Sequence, residues 1–352
     1  MTWEKKLLSL DELKPGMMSS SDVIFEGKML LAKNIIITAS TINNLKQNYL
    51  VDKVEVYVKN DSDSPLIVET NTIQKIENDF NEFSLNLKRI FNNISELKVP
   101  EMNEIRSFSK KIQEEFKSTG IVIRNIVFYG SGKDAIYRHS INVSAISFIL
   151  GKWLNLNQRD LNLLTYSAIL HDFGKTKINR DILNKNGVLT SREYKIIKTH
   201  PVIGYNFIKS IPYLDPSVSY GVLMHHEKMD GSGYPLGIAG DKIHLFAKII
   251  AIADLFDEVN SSRYYKKVRG PFEALKIIQE QSLGKLDCRY CDVFLNHIIN
   301  YFMGENVLLN NGKKYKVIQV HVNDLTNPLL LDEGNFLDLK KESDLYVEKL
   351  VI

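Results

Sequence analysis

Apolar residues recur at Ile73, Ile76, Phe80, Phe83, Leu87, Ile90, Ile94 and Leu97, in alternating steps of three and four. A repeat close to 3.5 residues predicts a helix with a narrow apolar seam that packs along another helix. Two partners fit equally. The segment Ile105, Phe108, Ile112, Phe116, after a break at Pro100, would fold back onto the seam within the chain. Alternatively, the same seam of a second copy would cover it, making a dimerising connector and a homodimer.

The pattern before this segment is different. Short β-type runs, Met29-Leu30-Leu31 and Val54-Glu55-Val56-Tyr57-Val58, are separated by turn residues at Pro15-Gly16, Glu26-Gly27 and Asp61-Ser62-Asp63. They predict a small β-rich module over 1–72, regulatory or structural because it carries no catalytic motif. A helical connector follows over 73–120. Across 121–304 helices dominate, with glycine and proline marking loops, and Thr190-Ser191-Arg192-Glu193 forms a capping box opening the helix expected to carry His200. After Gly304, Val307-Leu308-Leu309, a turn at Asn311-Gly312 and the run Tyr315 to Val322 predict a short C-terminal β hairpin within 305–352, lying over part of the helical domain. The expected fold class is mainly α, flanked by these two small β elements.

Length fits this division, since 352 residues exceed the roughly 100 to 200 of a usual single domain. Charge narrows the partners. Forty-five basic against 42 acidic residues leave +3, with no basic block, so a nucleic-acid polymer is not expected. No run approaches a membrane span of about 20 apolar residues, and the N-terminus leads into no signal-peptide core. A soluble, cytoplasmic protein with no membrane partner is expected. Cys288 and Cys291 form a lone CxxC without a second pair or a strand-to-helix setting, and are read as ordinary reduced thiols.

The chemistry lies in one ordered series: His139, His171-Asp172, His200, His225-His226 and Asp254, which takes five of the eight histidines. Imidazole and carboxylate donors without thiolate hold divalent first-row metals while leaving water bound, as two-metal hydrolysis requires. His244, His297 and His321 stand outside the series and are read as structural. His226-Glu227-Lys228-Met229-Asp230 echoes a metalloprotease helix, but the second histidine is absent and Gly231 breaks the helix.

Tyr137-Arg138-His139-Ser140, His171-Asp172-Phe173-Gly174-Lys175 and Ile252-Ala253-Asp254-Leu255-Phe256-Asp257 together resemble the metal set of the HD phosphohydrolase superfamily. The additional histidines and the run His225 to Pro235, ending Gly233-Tyr234-Pro235, narrow the resemblance to the HD-GYP family, over about half the chain. It implies an all-helical HD-type catalytic domain that hydrolyses cyclic di-GMP, a bacterial second messenger, to pGpG or GMP. It implies two divalent cations, iron or manganese. His139, His171, Asp172 and Asp254 would hold one; Asp172 would bridge to a second held by His200, His225 and His226. Asp172 is thereby catalytic, and Lys175 would bind a nonbridging phosphate oxygen. Tyr234 would contact the nucleotide or a partner such as a diguanylate cyclase, and Arg263 and Lys266 would meet the second phosphate. The family segment usually carries proline where Tyr264 stands here, leaving their direction open. Asp257, one turn after Asp254, fits an orienting role. A third metal in some members uses a glutamate where this chain has Ala135, with Asp134 off phase, so two metals are expected. The rivals are a receptor that binds cyclic di-GMP without turnover, whose mark would be lost ligands, and a hydrolase of another cyclic dinucleotide.

Overall fold

The computed structural model describes residues 3–25, 28–33, 35–48, 53–59, 65–96, 102–116, 119–131, 135–185, 187–261, 270–332 and 335–351. The expected turns at Glu26-Gly27 and Asp61-Ser62-Asp63, with Leu97 and Pro100, lie outside them. The N-terminal module is built on an antiparallel sheet in which Trp3–Ser9 pairs along Lys53–Lys59, with the short Met18–Ser19 on the other side. A hairpin of Val23–Phe25 and Lys28–Leu31 and a helix, Ala39–Asn48, complete it. The helix was not expected from sequence, because only Ile42 and Leu45 mark its buried face, too few to set a helical period. Together with Leu13, Leu31, Ile35, Ile37, Val54 and Val56 they form a core separate from that of the rest of the chain.

The heptad segment lies in one long helix, Pro65–Ser95, which starts well before the first seam residue. Its seam is buried in its own chain: Phe80, Phe83, Leu87 and Ile90 are at most 1% exposed. Phe80 stacks on Phe116 at 4.4 Å between ring centroids, and Phe83 meets Phe108 and Phe116 edge-on. The intramolecular partner is thus the one taken, through the helix Met102–Glu115 and the residue that follows it. These apolar side chains belong to one continuous core that runs from Ile76 to Leu350.

At the centre of that core stands the helix Ala135–Trp153, apolar or small almost all round: Ile141, Val143, Ala145, Ile146 and Leu150 are wholly buried, as are Ser140, Ser144 and Ser147. A helix with no polar face must be enclosed. It is enclosed by Gln158–Leu170, Leu245–Asn260 and the long N-terminal helix. The mainly α reading is borne out, and no described helix is long and apolar enough to cross a membrane.

The expected C-terminal hairpin is present, between Asn306–Leu309 and Lys314–His321, with Gly312 at φ 81° in its turn. It is part of a larger antiparallel sheet in the order Val347–Val351, Asn306–Leu309, Lys314–His321, Asp324–Asp332, Asn335–Asp338. The additional strands were hidden because register shifts between Val317 and His321 and the apolar block Leu329-Leu330-Leu331 break the alternation. Val307, Leu309, Val317, Leu330 and Leu350 join the helical core, so the sheet closes the domain.

Because Leu87 is fully buried within the chain, Leu87→Ala is expected to cost about 2–5 kcal/mol in urea denaturation. The midpoint should not depend on protein concentration; a concentration-dependent midpoint would mean that the seam is shared between copies.

Candidate metal centre

Five elements deliver the seven expected side chains to one place. His139 sits in the first turns of Ala135–Trp153, and Asp254 in the middle of Leu245–Asn260. His171 and His225 are the C-terminal caps of Gln158–Leu170 and Pro216–Met224, each followed at once by Asp172 and His226. His200 opens the helix His200–Ile208. Here the expectation needs correction. The capping box at Thr190 and Glu193 forms, but the helix it opens ends at Ile197. Pro201 cannot continue it, since proline lacks the N–H and its ring clashes with the carbonyl four residues back.

The backbone orients the rings. Histidines 171, 200 and 225 each place Nδ1 2.7 Å from the carbonyl oxygen three residues earlier, that of Ala168, Ile197 and Val222. Carbonyls at helix ends lack intrahelical donors, so each ring donates from Nδ1 and turns its Nε2 inward as a bare lone pair. His139 is oriented by a side chain instead, with Nδ1 2.7 Å from Asp257 Oδ2. That geometry fits the orienting role expected of Asp257.

Asp172 lies between the two groups of rings, and its two oxygens divide them. Oδ2 is 3.5 Å from His139 Nε2 and 3.7 Å from His171 Nε2. Oδ1 is 3.3 Å from His200 Nε2 and 3.9 Å from His225 Nε2. Asp254 lies 3.0 Å from His139 Nε2 through one oxygen and 3.8 Å from His226 Nδ1 through the other. His139, His171 and Asp254 form one cluster able to hold a metal ion, His200, His225 and His226 another, and His171, Asp172 and His225 join across the middle.

The donor atoms fit cations. His200 Nε2 and His225 Nε2 face each other at 3.2 Å although both rings carry their proton on Nδ1. Two lone pairs at that distance repel unless a positive charge lies near them. Asp172 Oδ1 is buried without a hydrogen-bond partner, a costly condition for an ionised oxygen. Both oddities disappear if divalent ions occupy the centre.

Protonation points the same way. Burial pushes His200 down to about 4, and it holds His171, His225 and His226 below the ordinary range as well. These rings are neutral at physiological pH, as ligands must be. His139 differs: burial opposes its charge, but Asp254 and Asp257 on its two nitrogens outweigh this and raise it to about 10. Burial also opposes the charge on Asp172, yet Lys175 holds that carboxyl well below its usual range.

Lys175 Nζ lies 2.6 Å from Asp172 Oδ2, in the 3-10 turn Phe173–Lys177. That turn presses against the start of the His200 helix, and a Cβ added at Gly174 would stand 2.0 Å from the His200 carbonyl oxygen. Only glycine lets Asp172 and His200 approach this closely. Tyr234 stacks on His226 at 4.7 Å with Lys198 4.8 Å from its ring centroid, and burial raises its phenol. Arg263, Lys266 and Asp134 lie outside the described residues.

Sequence reasoning missed the support of the Tyr234 loop. Glu227, buried, accepts hydrogen bonds from the backbone N–H of Leu236 at 2.6 Å and of Ile238 at 3.1 Å. A Cβ at Gly233 would come within 2.4 Å of Glu227 Cα. The signal available was a glutamate next to the paired His225-His226, just ahead of a glycine-rich loop. Cys288 and Cys291 are free thiols, and burial pushes Cys291 up to about 12, which suits an inert thiol.

A family model described as an HD domain matches residues 123–289. The chain is similar to a cyclic di-GMP phosphodiesterase of Pseudomonas aeruginosa, 32% identical over 54% of this chain and 46% of that protein. It is also similar to a cyclic di-GMP phosphodiesterase of Thermotoga maritima, 36% identical over 43% of this chain and 41% of the other. A 3'3'-cGAMP-specific phosphodiesterase of Vibrio cholerae is 32% identical over 54% of this chain and 43% of its own length. The chain thus spans about half the length of the curated relatives it matches. A solved HD-GYP-type protein of Bdellovibrio bacteriovorus shares the fold, with a TM-score of 0.52 and 16% identity over 84% of this chain and 99% of that one. The resemblance to the HD-GYP family is borne out.

With His139 protonated up to about 10, uptake of Mn²⁺ at pH 7.5 is expected to release about one proton per chain. Apparent affinity should therefore rise with pH between 6.5 and 8.5. Calorimetry in buffers of different ionisation enthalpy measures the release; buffer-independent heats would contradict it.

Proposed function

We propose that this chain is a metal-dependent phosphodiesterase that hydrolyses cyclic di-GMP to pGpG, GMP or both, in bacterial second-messenger signalling. The observation that carries this reading is the division of the imidazoles between the two oxygens of Asp172, one of them buried without a hydrogen bond. His139, His171, Asp172 and Asp254 would hold one cation, and Asp172, His200, His225 and His226 the other. Nitrogen and oxygen donors without thiolate suit iron or manganese. Two such cations, when bound, make a water acidic enough to attack phosphorus at neutral pH and neutralise charge on the phosphoryl oxygens.

The chain's own residues do the rest. Asp172 keeps the two ligand groups at a fixed spacing because it is buried and carries negative charge. Once that charge is shared with cations, the Lys175 ammonium can turn to a nonbridging phosphate oxygen, a charge-assisted hydrogen bond from a part-buried donor. Tyr234 keeps its proton, since its phenol is raised, so it donates a hydrogen bond to the nucleotide and offers a flat ring beside His226. Arg263 and Lys266 remain our candidates for the second phosphate. The same loop carries Leu236, 52% exposed, which supports contact with a diguanylate cyclase or another signalling protein. Free thiols fit a cytoplasmic setting.

A second reading keeps the chemistry and changes the substrate. It rests on the similarity to a 3'3'-cGAMP-specific phosphodiesterase. Turnover of both dinucleotides by the purified chain, with Mn²⁺ or with Fe²⁺ under anaerobic conditions, separates the two. Cyclic di-GMP is expected to be the faster substrate, and Asp172→Ala to lower turnover by on the order of 10²–10³-fold with loss of bound metal. Parent-rate cleavage by Asp172→Ala would mean that the site lies elsewhere. Tight binding without turnover by fully metallated protein would make the chain a receptor.

A further inference from the structure

The support of His139 extends beyond Asp257. Asp257 is wholly buried and accepts three hydrogen bonds: from His139 Nδ1 at 2.7 Å, from Asn142 Nδ2 at 2.5 Å and from the Ser131 hydroxyl. Asn142 in turn accepts from Arg138 Nε at 3.0 Å. Arginine has no acceptor. The Asn142 carbonyl must therefore face Arg138, which commits its amide N–H to Asp257. Arg138, 5% exposed, ends in a two-pronged pair with Glu77: Nη1 reaches Oε1 at 3.0 Å and Nη2 reaches Oε2 at 2.8 Å. Asn125 closes the figure, accepting from Arg138 Nη2 at 2.8 Å and donating to Glu77 Oε2 at 3.1 Å. Phe80, one turn beyond Glu77, lies with its ring centroid 4.4 Å from the guanidinium carbon.

An unbroken line of polar groups thus runs from the partly buried Glu77 through the buried Arg138, Asn142 and Asp257 to the partly buried His139. Glu77 belongs to Pro65–Ser95, the helix that follows the N-terminal module, while His139 belongs to the central helix of the HD domain. Every link has a fixed donor direction, and an unpaired member would be left buried at a cost. The line is therefore a stiff connection. We propose that Glu77 is a positioning residue for the metal centre: through Arg138, Asn142 and Asp257 it sets the orientation of His139, so that the placement of the long N-terminal helix governs how tightly one of the two cations is held. This inference rests on the two-cation reading of the site. It gives the N-terminal module a defined route to the chemistry, since a shift of that helix changes the Glu77 to Arg138 contact first.

The test uses the full chain and Mn²⁺ alone, titrated by electron paramagnetic resonance, with thermal melts of the metal-free proteins alongside. Glu77→Gln keeps the size of the side chain and removes its charge. It is expected to weaken one of the two Mn²⁺ by about 10–100-fold, as loss of an outer ligand partner does, and to leave the other at parent affinity. Glu77→Gln combined with Asp257→Asn should be no worse than Asp257→Asn alone, because the two act in series. Phe83→Leu disturbs the packing of the same helix outside the line; it should lower the melting temperature without moving either affinity. Parent affinity for both ions in Glu77→Gln, with one ion lost in His139→Ala, would overturn the positioning role and leave the metal centre standing. Equal weakening by Phe83→Leu would also overturn it, reducing the effect to packing. A parent chain that binds no Mn²⁺ would overturn both readings together.

Discussion

The structure depends on keeping one carboxylate, Asp172, ionised at the bottom of a buried cluster of imidazoles. Taken alone, the arrangement is unfavourable: a charged oxygen without a hydrogen bond, and the Nε2 atoms of His200 and His225 facing one another with lone pairs rather than protons. Lys175 supplies one compensating charge from the side. His139, held charged by Asp254 and Asp257, supplies another, while burial drives His171, His200, His225 and His226 to the neutral form. A site of this kind is strained in favour of accepting cations, and that explains why hydrophobic enclosure and metal affinity belong to one design.

Holding the cluster together is the work of local backbone chemistry. Three rings are aimed by the same device, a carbonyl three residues back at a helix end, so the direction of each lone pair follows from where its helix stops. Close approach is set by glycine: Gly174 lets the turn after Asp172 lie against the His200 backbone, and Gly233 lets the Tyr234 loop lie against Glu227. His139 is the exception. No backbone carbonyl aims it, and its orientation comes from Asp257 and the buried polar groups behind it. On our proposal, the same exception makes His139 the member of the cluster most open to influence from the N-terminal part of the chain.

The candidate site was legible in the sequence because its residue types are rare together and each carries a chemical demand. Paired His171-Asp172 and His225-His226, with His139, His200 and Asp254, say metal without any knowledge of packing. The helical character of the central domain was legible from its pattern between glycine and proline breaks, and the seam at Phe80, Phe83 and Leu87 announced a partner, though period alone could not say whether that partner was in the same chain. The hidden parts depended on contacts far apart in sequence. Glu227 reads as an ordinary glutamate until the loop folds back on it. Glu77 sits on what looks like the polar face of an amphipathic helix, and only the approach of Arg138 gives it a task. The break between Ile197 and His200 is local and readable, since Pro201 enforces it, while the later strands of the C-terminal sheet are obscured by register shifts.

The central claim, that these seven side chains hold two cations with Asp172 shared between them, is tested most directly by anomalous diffraction from crystals grown with Mn²⁺. The account predicts two anomalous peaks on either side of the Asp172 carboxylate, one against His139, His171 and Asp254 and the other against His200, His225 and His226. A single peak, or ions bound away from Asp172 while the cluster stays empty, would contradict it.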